Sequence, residues 1–169
     1  MSKERKILKI SKIVDFFLVL EKESDVSKIG RFRESAVKIL EEFGTQEDVD
    51  SFINKLLTEE KLVLGLQLAP ITTTLLEKSS VQIRERVLPE YIKHGYWNYS
   101  VFLIGSLNRS FTPDELLLLA KKVNFGNKDI EKEQKEFLER EAKKYGVKFV
   151  AQIKEIITQQ KESWDNDFF

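Results

Sequence analysis

The chain has no cysteine and only one histidine, His94. Without thiols there is no disulfide framework, no thiolate nucleophile, no iron–sulfur cluster and no zinc ribbon. A lone histidine cannot build a multi-histidine metal site, although it can serve one catalytic role. Breakers of regular structure are scarce, with seven glycines and three prolines in 169 residues. An excess of one charge is also missing. Twenty-eight Lys and Arg balance twenty-eight Asp and Glu, which argues against a strongly basic nucleic-acid binder but not against a local basic patch. No apolar run is long enough to cross a bilayer, and the longest, residues 16–20, lies between Asp15 and Glu21.

The basic start, with Lys3, Arg5, Lys6, Lys9 and Lys12, has the first ingredient of a signal peptide. Asp15 interrupts the apolar part that follows, and no small-residue cleavage site comes after it. The expected location is therefore the cytoplasm, with no membrane, metal or cofactor involved. What the chain does contain is 33% charged residues interspersed with 41% hydrophobic ones, so general disorder is excluded and core material is available. The length fits one domain, expected over residues 1–160, followed by an acidic, aromatic C-terminal tail over residues 161–169.

Helical spacing dominates that domain. Ile10, Ile13, Val14, Phe17 and Leu18 share one face of a helix expected over residues 5–22. A second stripe, Ile29, Phe32, Ala36, Leu40 and Phe43, ends at Gly44. Thr45 and Asp48 then open a third helix, striped by Val49, Phe52, Ile53, Leu56 and Leu57. Residues 62–76 are nearly all apolar or hydroxylated and read as the most buried helix, kinked near Pro70, with Thr72, Thr73 and Thr74 satisfying the freed carbonyls. The next helix carries Val87, Leu88, Tyr91 and Ile92, is expected to be interrupted by Pro89, and ends at Gly95. Trp97, Val101, Phe102 and Ile104 mark another.

The sharpest local signal is Phe111-Thr112-Pro113-Asp114-Glu115-Leu116. It combines an N-cap, a proline at the first helical position, a capping box and a hydrophobic staple. A charged, solvent-facing helix follows over residues 128–145, with a thin stripe of Ile130, Phe137, Leu138 and Ala142. Val147, Val150, Ile153 and Ile157 mark the last helix. No run of period-two alternation competes with these patterns, so the fold is expected to be all-α. Starts near residues 27, 46, 59, 80, 96, 112 and 128 predict antiparallel helices in one of two arrangements. One is a superhelical array that resembles HEAT or tetratricopeptide solenoids in architecture, although no repeat signature recurs in register. The other is an irregular helical bundle.

Three groups of residues compete for function. The first is the tail, Glu162-Ser163-Trp164-Asp165-Asn166-Asp167-Phe168-Phe169. Such a segment suits a basic pocket with an apolar floor: Phe168 and Phe169 fill the floor, while Asp165, Asp167 and the terminal carboxylate meet Arg or Lys. It resembles the acidic, Phe-terminated tip of bacterial and phage single-stranded DNA-binding proteins. That resemblance covers only the last eight residues or so, lacks the usual proline, and does not extend to the body, which has none of their β-barrel pattern. It implies docking on a partner in DNA replication or repair, or in phage biology. In the competing reading, Trp164, Phe168 and Phe169 fold back over the core.

The second group is basic: Lys28, Arg31, Arg33, Arg84, Arg86, Lys93 and Arg109. Aligned on one face, with Tyr96, Trp97 and Tyr99 nearby, these side chains would track a phosphate backbone. Glu34 and Glu85 lie among them and offer surface ion pairs as the alternative. The third group is His94 with Glu90, four residues earlier, as its orienting acid. A helix-capping role competes there, because Gly95 follows. The sequence therefore points first to a non-enzymatic protein-interaction module, an adaptor or complex subunit with a docking tail. A nucleic-acid-binding subunit comes second, and an enzyme with His94 in a pocket third.

Overall fold

The computed structural model describes residues 26–58 and 75–168, together with Ser2. The helix expected over residues 5–22, and residues 62–74 of the one expected over 62–76 with its kink at Pro70, lie outside the described residues. The fold is all-α, and the described residues contain no strand. Seven α-helices are described: α1 (Val26–Phe43), α2 (Gln46–Thr58), α3 (Val81–Lys93), α4 (Trp97–Leu107), α5 (Pro113–Ala120), α6 (Lys128–Ala142) and α7 (Val147–Phe168). A short 3₁₀ turn, Lys143–Tyr145, joins the last two. The chain divides into two compact units, residues 1–87 and 88–169, with the division falling inside α3.

In the first unit, the expected stripe of α2 and Leu40 of α1 become part of a core, while the side chains of Ile29, Phe32, Ala36 and Phe43 lie outside the described residues. Val37, Leu40, Val49, Phe52, Ile53 and Leu56 are buried, and Leu75 and Leu76 join them. Thr45 caps α2 as its spacing demands. Its backbone N–H and hydroxyl both donate to the Asp48 carboxylate, at 2.8 and 2.7 Å, and its oxygen accepts from the Asp48 N–H. Ser80 caps α3 in a related way, accepting from the Ile83 N–H at 3.3 Å. Here the acid that completes the cap comes from another helix, since the Ser80 N–H donates to Asp50 in α2 at 2.8 Å.

Pro89 does not interrupt α3, contrary to the sequence expectation. An interior proline costs about 3 kcal/mol through its missing donor and its clash with the preceding turn. Around it, however, Val87, Leu88, Tyr91 and Ile92 are fully buried. The packing of that face outweighs the local penalty.

The helix ends two turns after Val87 in a left-handed cap. The Gly95 N–H donates to the Ile92 carbonyl and the Tyr96 N–H to the Tyr91 carbonyl, both at 3.0 Å. Gly95 has φ +72°, a conformation that a Cβ would strain. The apolar contact that accompanies such caps is Tyr96 edge-on to Tyr91, with centroids 6.4 Å apart.

In the second unit, α5, α6 and α7 pack against one another. The start of α5 is built as its sequence requires. Thr112 accepts from the Glu115 N–H at 3.2 Å, Glu115 accepts from the Thr112 N–H at 2.9 Å, and Pro113 occupies the first helical position. Phe111 and Leu116, the expected staple, are both buried. Side chains then fasten the elements together. The Trp97 indole donates to the Lys122 carbonyl at 2.9 Å, and the Tyr145 hydroxyl donates to the Phe111 carbonyl. Phe137 meets Trp97 and Phe111 edge-on, at 5.9 and 5.8 Å. α7 contributes Ile153 and Ile157 to the core, as its stripe predicts, while Val147 at its start is exposed.

Candidate functional site

The acidic, aromatic segment is helical. α7 runs without a break to Phe168, so residues 161–168 form its last two turns. Helical spacing puts Lys161, Trp164, Asp165 and Phe168 on neighbouring positions of one side. Trp164 faces inward enough to lie 6.4 Å from the buried Phe125 ring. The Lys161 ammonium sits over both rings, 5.2 Å from Phe125 and 4.8 Å from Trp164. The same ammonium pairs with Asp165 at 3.2 Å. Lys135 of α6 adds a further cation, 5.8 Å from Phe125. Phe168 is different. It rests on Trp164 at 4.8 Å, yet 67% of its surface is exposed. Asp167 and Glu162 are exposed as well, and Phe169 lies outside the described residues. The competing roles of this segment are therefore divided between residues: Trp164 closes over the core, and Phe168 is presented to solvent.

No known protein family, curated protein or solved structure matches the chain. Its surfaces must then be read from their own chemistry.

The basic residues are distributed over both units. Arg31, Arg84 and Arg86 belong to the first unit and Lys93 and Arg109 to the second, while the side chains of Lys28 and Arg33 lie outside the described residues. Arg86 donates to Asn54 of α2. Arg109 is held by the cap of α5, with its guanidinium donating twice to the Glu115 carboxylate, at 2.8 and 3.0 Å, and once to the Ser110 carbonyl at 3.0 Å. Of the seven, Arg31, Arg86 and Lys93 are exposed.

His94 stands at the exposed C-terminal end of α3, its imidazole 3.8 Å from Glu90 and its ring 6.0 Å from Tyr96. The backbone N–H groups of Gly95 and Tyr96 take the last carbonyls of the helix, so the cap expected there is made by the main chain.

A feature that the sequence reading missed lies between the start of α4 and the face of α6. It is an open cleft of about 620 Å³, with Tyr96, Trp97, Tyr99 and Phe137 among its lining residues. Glu133, Glu136 and Arg140 supply its charges, and Val101 and Ile130 supply apolar edges. His94 is not among the lining residues. The stripe of α6 contained the signal in part: Ile130 is too far along the helix to share the burial of Leu138 and Ala142, and it is 38% exposed. Among the described residues, no group of His, Asp or Glu is arranged to hold a metal ion, and no helix is long and apolar enough to cross a membrane.

Proposed function

We propose that this protein is a non-enzymatic interaction module that presents the end of α7 to a protein partner. Phe168 enters an apolar pocket on that partner, and Asp167 and Glu162 meet basic residues at the pocket's rim. The observation that carries this reading is the exposed Phe168 ring, resting on Trp164 beside acidic side chains. Such an aromatic side chain has few rotamers to lose on binding and offers a large apolar area. The resemblance of these last residues to the tip of single-stranded DNA-binding proteins makes replication or repair the partner's setting. The engagement of Arg86 by Asn54 and of Arg109 by Glu115 weighs against a phosphate-binding face, and the exposed position of His94 outside the cleft weighs against a hydrolytic centre.

The test compares the full chain with Phe168→Ala and with Asp167→Lys in affinity capture from an extract of the source organism. Circular dichroism and thermal melting first establish that both variants fold like the parent. A partner that the parent retains, that both variants lose and that high salt releases supports the proposal. An unchanged set of partners in both variants overturns it.

A further inference from the structure

The cleft beside α4 has a chemistry of its own and does not rest on the role of Phe168. α4 contains no charged residue over its eleven positions. Its outward positions are Asn98, Val101 and Gly105, which the helical repeat places on one side. Val101 is 41% exposed. Gly105 sits in open space, where an added Cβ would meet nothing within 4 Å. Glycine is the weakest helix former after proline, so a mid-helix glycine needs a reason. Nothing among the described residues supplies one. A close approach by another backbone does.

The opposite wall narrows the choice of partner. Arg140 is turned onto Phe137, 5.3 Å from the ring, and has only a loose pair with Glu141 at 3.9 Å. Glu136 has only a loose pair with the exposed Lys132 at 3.9 Å. Glu133 is exposed and has no ion-pair partner among the described residues. With two carboxylates against one guanidinium, the charge lining the cleft is acidic on balance. Its floor is preformed, because Trp97 is fixed by the Lys122 carbonyl and Phe137 by edge contacts with Trp97 and Phe111.

We infer that this cleft is a docking groove for a basic amphipathic helix of a partner protein. The apolar side of that helix covers Val101, Ile130 and the aromatic floor. Its backbone crosses α4 at Gly105. Its Lys or Arg side chains reach Glu133 and Glu136, passing the faces of Tyr96 and Tyr99, where aromatic rings favour a cation. A nucleic acid is excluded as occupant by the same two carboxylates.

The experiment uses the full chain and two fluorescent 18-residue helical peptides. Both carry the same leucine stripe, one with lysines and the other with glutamates on the polar side. Three variants are compared with the parent: Gly105→Leu, Gly105→Ala and the double change Glu133→Lys with Glu136→Lys. The space around Gly105 lets both of its variants fold, and Gly105→Ala should raise the melting temperature.

The expected result is saturable binding of the lysine peptide, at least tenfold tighter than the glutamate peptide. Gly105→Leu and the double variant should each weaken it at least tenfold, with circular dichroism unchanged. Equal affinity for the two peptides, or binding unaffected by either change, overturns the inference. A dimer of the parent, seen by sedimentation and lost in Gly105→Leu, also overturns it, because the groove would then hold a second copy of this chain.

Discussion

Phe168 stacks on Trp164 with ring centroids 4.8 Å apart, and Trp164 in turn lies 6.4 Å from the buried Phe125. The two aromatic residues are one helical turn apart and have opposite tasks. Trp164 belongs to the packing of the second unit, whereas Phe168 covers only Trp164 and is otherwise open to solvent. Their substitutions should therefore separate. Trp164→Ala should lower unfolding stability by about 1–3 kcal/mol, as expected for loss of a large, half-buried aromatic. Phe168→Ala should change it by less than about 0.5 kcal/mol, as at exposed sites. Chemical denaturation of the two variants checks this.

The fully buried Tyr91 carries a hydroxyl with no hydrogen-bond partner among the described residues. Burial raises its pKa well above the ordinary tyrosine value, and the neighbouring Tyr99 adds to the effect. A group whose pKa is raised on folding keeps its full contribution below its unfolded value and loses it as pH rises. For Tyr91 the loss begins near the ordinary tyrosine value, about pH 10. Tyr91→Phe removes both the unpaired hydroxyl and this titration. At pH 8 the variant should be as stable as the parent or more stable by up to about 1 kcal/mol. Between about pH 9.5 and 11 its denaturation midpoint should fall less steeply than the parent's.

The cap of α5 joins two devices through one carboxylate. Glu115 accepts from the Thr112 N–H at 2.9 Å and from the Arg109 guanidinium at 2.8 Å. Thr112→Ala should cost about 0.5–2 kcal/mol, the range for a lost N-cap. Glu115→Ala should cost more, because it also leaves Arg109 without its carboxylate. Part of the Glu115 effect should disappear in high salt, while the Thr112 effect should not. Melting temperatures at low and high salt distinguish the two.

Much of the helical order could be read directly from the residues. The Thr45 and Thr112 caps, the stripe on α2, the Ile153 and Ile157 positions of α7 and the helix marked by Trp97, Val101, Phe102 and Ile104 all depend on spacing within a few positions, and the structure repeats them. Pro89 could not be judged in that way. Its local penalty is visible in the sequence, whereas the burial of Val87, Leu88, Tyr91 and Ile92 that overrides it depends on residues far along the chain. The same holds for Ser80, whose expected local cap is completed by Asp50, thirty positions earlier.

The sequence by itself determined the helical class, several caps and the composition of the acidic, aromatic segment, because those follow from periodicity and short-range hydrogen bonding. Only the tertiary structure decided which member of that segment is packed and which is exposed. It put Phe125 beside Trp164 and left Phe168 exposed. It also set Trp97 and Phe137 edge to edge, forming a cleft from residues forty positions apart. Burial is a property of the whole packed chain, and the same aromatic residue becomes core or contact surface according to what distant residues place against it.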